Sequence, residues 1–395
     1  MRALALIAIL VCTPVAAREL ALADAESLLA EHNREVLAAR RAVESADAQK
    51  LIAGARPNAT FSINSTAIAS GTRPDTVFRI DQPFERGGKR ELRVDAAAGL
   101  ERAAQSDSLD VLRQQLALVR GAYFDLKLAQ ERAEVLAQTA ELFAGTLAAA
   151  QKRLQAGDLA AADVAKVQVD YERAQNDARA ARAEITRAQI ALAYLIGVDP
   201  DLSASDAWPA LERAAPAAFE PAIEARPDVI AARQRLAAAE KLRELARAQR
   251  SRDVTIGAQY ERYPGNVPTN SVGFGFAVPL FTGNDFSGDI RKAEVDRYAA
   301  LDALERARAV ALNDLRRAAG DLDAAAERLE RFEGSLLGAA TRSAEAAEFA
   351  FRRGAISVLE VLDARRTLRA VRLEALAARN DHAKALAAWR SALNR

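Results

Sequence analysis

The residue types that carry most enzyme and metal chemistry are scarce in this chain. Its two histidines, His32 and His382, form no HxxH or HxxxH pair, and its single cysteine is Cys12. Soft metal ions prefer thiolate and imidazole ligands, so a dedicated site for them is not expected. No nucleophile stands beside a general base in a recognisable motif. The sequence therefore predicts a protein that is not an enzyme and that uses no cofactor or resident metal.

A glycine-rich segment, Gly87-Gly88-Lys89-Arg90, is the other candidate for chemistry because phosphate-binding loops also place lysine after glycine. Such a loop needs a glycine five residues before Gly88, where this chain has Pro83. We therefore predict a structural role, in which the two glycines turn a strand into a long helix. The predicted strand-to-helix turns comprise Pro83, Gly87, Gly88, Pro279 and Gly283.

The N-terminus has the pattern of a secretory signal peptide. Arg2 precedes an apolar run that ends at Cys12, and the small residues Ala16 and Ala17 suit cleavage before residue 18. The run is too short for a membrane anchor, which needs about 20 apolar residues. With 55 basic and 54 acidic residues, the net charge of +1 gives no indication of a nucleic-acid partner.

The chain is an internal duplication. Three unlike landmarks recur at nearly one spacing: Asn33 to Arg40 returns as Arg226 to Arg233, Pro83 as Pro279, and Gly157 as Gly354. A repeat of this length indicates two copies of a helix–hairpin–helix–helix unit. The predicted organisation is a signal peptide over 1–17, a first repeat over 18–197, a proline-rich linker over 198–225, and a second repeat over 226–395.

Long helices dominate both repeats. The first is predicted from Leu22 to Gly54 and the next from Gly88 to Gln155, which at about 1.5 Å per residue is roughly 100 Å long. Apolar residues recur at three- and four-residue steps, the seam of coiled-coil packing. An example is the series Leu109, Leu112, Leu116, Val119, Tyr123 and Leu126. This periodicity alone also allows an ordinary coiled-coil rod.

Two predicted β-hairpins, over 58–84 and 253–280, argue against a rod. Apolar and polar residues alternate along each strand, as in Val272 to Val278, and the runs approach the length of tilted transmembrane strands. Four such strands cannot close a barrel, and an open edge in lipid leaves backbone groups unsatisfied. The chain is therefore expected to oligomerise in a membrane. Two soluble hairpins resting on helices are the alternative.

The duplicated unit resembles the TolC-like family of outer membrane efflux proteins over nearly the whole mature chain. The stretch Gln82 to Arg90 is similar to the CzcC-type branch, which serves heavy-metal pumps of the resistance–nodulation–division class. The resemblance implies an α+β membrane protein: a homotrimer with a twelve-stranded transmembrane β-barrel, four strands per chain, that continues into a long periplasmic α-helical barrel.

The same resemblance implies location and partners. It places the chain in the outer membrane of a Gram-negative bacterium, in contact with outer-membrane lipid and with a large periplasmic portion. It also implies a periplasmic adaptor of the membrane fusion class, an inner-membrane pump, and efflux of cations such as cobalt, zinc and cadmium. A multidrug or type I protein export channel remains an alternative, as does a periplasmic coiled-coil adaptor or scaffold.

Two groups of site residues follow from the resemblance. The helical hairpins would reverse at tips near 157 and 354 that dock the adaptor. The predicted docking residues are Arg153, Leu154, Gly157, Arg353, Gly354 and Ile356. The periplasmic gate would contain Glu360 and Asp363, which share a helix face, together with Asp163, which is followed by Lys166 instead of a second acid. Plain turn chemistry and solvated surface acids are the alternatives.

Overall fold

A computed structural model describes residues 18–66, 73–215, 219–264 and 267–394. The predicted signal peptide, 1–17, lies outside these residues, as do Ala67 and Ala69 of the first predicted strand. None of the described helices is long and apolar enough to cross a bilayer.

The described part of the first repeat contains a short strand, four helices and a β-hairpin. Its elements are β1 (Arg18–Leu20), α1 (Leu22–His32), α2 (Arg34–Gly54), β2 (Thr60–Thr66), β3 (Asp75–Phe84), α3 (Lys89–Gln155) and α4 (Ala161–Ile196). The helix α3 has 67 residues and is therefore about 100 Å long. It packs against α2 and α4.

The single helix predicted from Leu22 to Gly54 is wrong, because the chain breaks at Asn33. The backbone of Asn33 is extended, at φ −65° and ψ 127°. Its side-chain oxygen accepts hydrogen bonds from the N–H groups of Glu35 and Val36. Asparagine is among the strongest N-cap residues, so it ends α1 and starts α2.

The segment between the repeats is ordered by contacts with the helices. The strand β4 (Leu202–Ala204) pairs in parallel with β1. Trp208 stacks on Phe124, with ring centroids 5.8 Å apart, and its indole N–H donates to Glu131. The predicted linker thus carries a strand and a packed aromatic side chain.

The elements that follow are α5 (Phe219–Glu224), α6 (Pro227–Ala248), β5 (Val254–Tyr263), β6 (Thr269–Ala277), α7 (Ser287–Arg331), a π-helical turn (Phe332–Leu336), α8 (Leu337–Arg352) and α9 (Val358–Ala392). They repeat the order from α1 to α4 with one interruption, the π-helical turn, and α5 lies within the segment predicted as linker. Hydrogen bonds from Arg308 and Arg233 to the Glu224 carboxylate tie α5 to α7 and α6 and lower the pKa of that group.

The π-helical turn takes up a one-residue insertion. Before it, buried core positions of the repeats correspond at an offset of 196: Val119 with Leu315, and Leu126 with Leu322. Beyond it the offset is 197, as for the buried pair Phe143 and Ala340. A π-turn widens the helix by one residue, so the apolar stripe continues in phase on both sides.

The buried core follows the apolar stripes of the helices, with two departures from the predicted seam. Val119, Tyr123 and Leu126 are fully buried, as predicted. Leu109, at the start of the same series, is 58% exposed, and Leu336, the last residue of the series with the same steps that is predicted in the second repeat, is 45% exposed in the π-turn. The seam is therefore covered near the middle of the helical body and partly open elsewhere in a single chain.

The two hairpins form one antiparallel sheet in the order β2-β3-β5-β6. Thr60 pairs with Asp81 inside the first hairpin and Thr255 with Ala277 inside the second. The hairpins are joined through β3 and β5, where Arg79 pairs with Gln259. The strands β2 and β6 are left at the two edges.

Candidate functional site

One face of the four-stranded sheet is apolar and open to the surroundings. Directly paired residues share a face, so the row Phe61, Ile80, Ala258 and Phe274 lies on one side. Phe274 and Phe276 are 85% and 79% exposed. The described residues of the chain cover little of this face, which we call the apolar face. It is the kind of surface that lipid-facing strands present.

The opposite face, which we call the polar face, carries small and hydrophilic side chains. It carries four charged side chains: Asp75, Arg79, Asp81 and Glu261. The guanidinium of Arg79 lies 2.7 Å from the Asp81 carboxylate. Glu261 accepts hydrogen bonds from the hydroxyls of Tyr263 and Ser271 at 2.7 and 2.8 Å. With three carboxylates and one guanidinium, the face is net negative.

The junction between the sheet and α3 is a tight turn held from the other repeat. Gly87 and Gly88 have φ of 76° and 71°, the left-handed region that favours glycine. A Cβ on Gly87 would lie 2.6 Å from the Cβ of Ser251. The buried ammonium of Lys89 donates to both oxygens of Asp253, at 2.9 and 3.0 Å. The turn therefore fixes β3 and α3 to the start of β5.

A second ion pair supports the same junction. Arg93 on α3 donates to the carboxylate of Glu85, which raises the pKa of the guanidinium. The sequence did not predict the pairing of Lys89, because Asp253 lies 164 residues away and in the other repeat. Lys89 and Asp253 meet only because the two repeats lie side by side at this end of the sheet.

The remaining predicted turn residues occupy two kinds of position: Pro83 lies inside a strand, whereas Pro279 and Gly283 lie in a connecting segment. The prediction for Pro83 is wrong: it lies within β3, opposite Thr255, and not in the turn. A proline is tolerated there because β2 begins at Thr60, opposite Asp81, so that β3 has a paired neighbour on one side only at Pro83. Pro279 and Gly283 lie between β6 and α7, and α7 begins after Phe286.

Both helical hairpins reverse through the same backbone motif. Gly157 and Gly354 have φ of 80° and 74°. The N–H of Asp158 donates to the carbonyl of Arg153, and the N–H of Ala355 to that of Ala350, each at 2.9 Å. The N–H groups of Gly157 and Gly354 donate to the carbonyls of Leu154 and Phe351, which completes a Schellman cap at each tip. Space around both glycines is open.

Side chains at the two tips contact each other. The guanidinium of Arg153 lies 5.4 Å from the ring centroid of Phe351, which belongs to the other hairpin. Arg353 lies 5.4 Å from the ring of Phe349, which is 63% exposed. Leu154 is 38% exposed and Ile356 is half-buried. The tips thus present cations, exposed aromatic surface and apolar side chains.

The predicted gate acids have unequal surroundings. Glu360 is bound to the N-cap of α9, Ser357: its N–H donates to the Ser357 hydroxyl at 3.3 Å, and that hydroxyl donates to its carboxylate at 3.1 Å. Asp363 is exposed one turn further along α9. In the first repeat, Lys166 lies 3.1 Å from the Asp163 carboxylate. The sequence carries a local signal for this cap, the Ser-x-x-Glu pattern of residues 357–360.

Ion pairs between α9 and α4 join the two hairpins behind these acids. Arg366 and Arg369 on α9 contact Asp170 and Asp177 on α4. Asp170 is 7% exposed, so Arg366 partners a nearly buried carboxylate. On the other side of α9, a groove of about 600 Å³ lies against α3 and α8. Its lining includes Leu142, Thr146, Phe351, Val361 and Arg365.

The described residues contain no group of three or more His, Cys, Asp or Glu side chains arranged to hold a metal ion. His382 is fully buried on α9, with its Nε2 3.0 Å from the carbonyl oxygen of Glu212. His32 is exposed at the end of α1. The two histidines are therefore not brought together.

Comparisons with known proteins match nearly the whole chain. The family model described as outer membrane efflux protein matches residues 26–198 and 219–395. The chain is 28% identical over 368 residues to the cobalt-zinc-cadmium resistance protein CzcC of Cupriavidus metallidurans, covering 91% of this chain and 87% of that protein.

Solved structures share the fold at lower identity. The structure of CusC superimposes with a TM-score of 0.81 at 18% identity, over 94% of this chain and 91% of that one. The outer membrane protein VceC of Vibrio cholerae gives 0.76 at 20% identity, over 94% and 96% of the two chains. The TolC-like fold expected from the sequence is thereby confirmed.

Proposed function

Since this chain belongs to the outer membrane efflux protein family, we propose that three copies form one channel that exports heavy-metal cations across the outer membrane. The observation that carries this proposal is the four-stranded sheet, with its apolar face and its two open edges. An open edge in lipid leaves backbone N–H and C=O groups without partners. Three such sheets, joined edge to edge, close a barrel of twelve strands within the usual size range.

The polar face then lines the barrel. Because it carries three carboxylates and one guanidinium per chain, the lumen of a trimer is net negative. Rings of carboxylates favour cations in channels. Together with the similarity to a cobalt-zinc-cadmium resistance protein, this charge supports divalent metal cations as the transported substrate. The metal passes through as cargo and needs no resident site.

The helical end of the channel meets the other parts of the efflux system. We assign adaptor docking to the tips around Gly157 and Gly354, where Arg153, Arg353 and Phe349 offer cation and aromatic contacts. The groove beside α8 extends this surface. The adaptor, a periplasmic membrane fusion protein, connects the channel to an inner-membrane pump of the resistance–nodulation–division class. Glu360 and Asp363 form the cation-favouring entrance at this end.

A sensitivity panel on a deletion strain, complemented in trans, tests the proposal. Zinc, cadmium, cobalt, nickel and copper salts are compared with detergents, dyes and antibiotics. We expect sensitivity to a subset of the metals that wild-type protein restores. Sensitivity to drugs and detergents alone would contradict the metal substrate and favour a multidrug channel. Loss of an exported protein without any such sensitivity would favour type I export.

A further inference from the structure

The apolar face of the sheet ends in a polar row at the side of the hairpin turns, away from the helices. Four directly paired residues share this face there, one on each strand: Ser65, Thr76, Arg262 and Asn270. We call them the rim row. The hydroxyls of Ser65 and Thr76 lie 3.4 Å apart. The rim row thus holds two hydroxyls, an amide and a guanidinium, and it contains no carboxylate.

The next row toward the helices, on the same face, is apolar and aromatic. Phe78 pairs with Tyr260, and their ring centroids are 6.2 Å apart. Tyr260 is 42% exposed, and Val272 beside it is 69% exposed. Outer-membrane barrels carry aromatic residues where the apolar band meets the lipid headgroups, and tyrosine suits that level because its ring is apolar and its hydroxyl is polar. The rim row, one step further out, therefore lies at the headgroup level.

The length of β5 agrees with this level. On the apolar face, β5 begins with Val254 and reaches Arg262 eight residues later. At about 3.3 Å per residue and a tilt of about 40°, Arg262 lies roughly 20 Å above Val254. The apolar band of outer-membrane barrels is about 25 Å tall. Arg262 therefore lies close to the boundary of the hydrocarbon region that is farther from the helices.

The guanidinium of Arg262 is exposed and unpaired in the chain. Among the described residues, no side chain forms a hydrogen bond or an ion pair with it. The adjacent Glu261 points to the polar face, where the hydroxyls of Tyr263 and Ser271 donate to its carboxylate. The sheet thus separates two neighbouring charges. A cation on the lipid side is costly in the hydrocarbon but costs little at the interface, where anionic headgroups attract it.

We propose that Arg262, with the rim row, binds a phosphate group of the glycolipid that forms the outer leaflet of the outer membrane. This inference rests on the proposed channel, which places the helices in the periplasm and the hairpin turns at the cell exterior. In Gram-negative bacteria that glycolipid is lipopolysaccharide, whose lipid A carries phosphate groups at the membrane surface. A guanidinium donates two parallel N–H bonds to phosphate oxygens, and the hydroxyls and amide of the row supply further donors.

Lipid A binding to the trimer purified from outer membranes tests this site. The test variant is Arg262→Gln, which removes the charge and keeps a polar side chain. The matched control is Arg252→Gln, which removes an exposed arginine two residues before the other end of β5. Native mass spectrometry counts the lipid molecules retained per trimer during titration with lipid A, with dephosphorylated lipid A, and with phosphatidylglycerol.

We expect the wild-type trimer to retain up to three lipid A molecules, one for each copy. The affinity for lipid A should fall roughly fivefold in Arg262→Gln, the effect of one cationic contact at a membrane surface, and should stay within about twofold of wild type in Arg252→Gln. Dephosphorylated lipid A should bind the wild-type protein about as weakly as lipid A binds Arg262→Gln. Phosphatidylglycerol should bind the wild-type protein and Arg262→Gln alike.

Equal affinity of the wild-type protein and Arg262→Gln for lipid A would overturn the proposal. An equal loss in Arg252→Gln would attribute binding to general positive charge, and an equal loss for phosphatidylglycerol would attribute it to phospholipid; either result overturns the glycolipid site. If Arg262→Gln does not assemble, the wild-type protein decides, because equal retention of phosphorylated and dephosphorylated lipid A also overturns it. A wild-type protein that forms no trimer in the membrane would instead contradict the channel itself.

Discussion

The two repeats start their second helices at equivalent positions with different chemistry. In the first, the amide of Asn33 caps α2 and also donates to the carbonyl of Leu195 at 2.8 Å. In the second, the counterpart is Arg226, which is 1% exposed and pairs with Asp228 at 2.6 Å and Asp314 at 3.3 Å. The first solution is a local cap. The second ties α6 to α7 through a buried charge, so the repeats share a backbone but not the forces that hold it.

The same divergence appears at the helical tips and along the long helices. Asp163 is paired with Lys166 in the first repeat, whereas Glu360 and Asp363 stand together in the second. The helix α3 is continuous, whereas its counterpart contains a π-turn. A duplicated chain can thus keep one architecture while each of its two repeats takes a separate part of the function. Under the proposed function, the negative charge at the channel entrance belongs mainly to the second repeat.

The largest expected effect comes from charging the apolar face of the edge hairpin. If the apolar face meets lipid, as proposed, Phe274→Asp should abolish insertion into the outer membrane, because the side chain is 85% exposed on that face. Fractionation followed by trimer detection measures this. Gly275→Asp, on the polar face and within reach of Arg79, is the control and should insert. Normal insertion of Phe274→Asp would refute the lipid-facing assignment.

Replacing the buried Arg226 should lower the free energy of unfolding more than replacing its neutral counterpart, Asn33. Arg226→Met deletes charge-assisted hydrogen bonds to two carboxylates and should lower stability by about 3 kcal/mol. Asn33→Ala removes a cap and should cost about 1–2 kcal/mol. Denaturant unfolding of the purified protein compares the two variants. Equal losses of unfolding free energy would show that the ion pairs of Arg226 and the cap of Asn33 contribute alike to stability.

The entrance charge should depend on the second repeat more than on the first. Glu360→Gln with Asp363→Asn keeps the backbone N–H and a side-chain oxygen that bind Ser357 and removes both charges, so cation preference should fall by about 1 kcal/mol, roughly fivefold. Asp163→Asn removes a charge already paired with Lys166 and should have a smaller effect. Reversal potentials in planar bilayers measure both. Unchanged selectivity in the double variant would remove these acids from the entrance.

The smallest effect is expected where the repeats differ by one residue. Deleting Gly334 from the π-turn should convert it to α-helix and leave Ala340 and Ala344 in the core. Deleting Gly145, an exposed glycine of the continuous helix α3, should rotate the following turns by about 100° and disrupt packing. Trimer yield and circular dichroism compare the two. Equal damage would mean that the π-turn is not a one-residue insertion.

The sequence predicted the architecture well where the signal is local or repeated. Alternation predicted the four strands, three- and four-residue steps predicted the buried Val119 and Tyr123, and the helix-breaking glycines lie at both tips. The break at Asn33 was missed because a helical pattern continues across it, although asparagine is a strong cap. Partners such as Lys89 with Asp253, or Arg366 with Asp170, depend on how two repeats pack and leave no local trace in the sequence.

The most direct test of the central claim is metal release from cells. A deletion strain that also lacks related outer-membrane channels is loaded with zinc, cobalt or cadmium and transferred to metal-free medium, and the metal appearing outside is measured over time. We predict slow release that the wild-type protein restores and that Phe274→Asp does not. Equal release with and without the wild-type protein, for every metal, would contradict the assignment of this chain as a heavy-metal efflux channel.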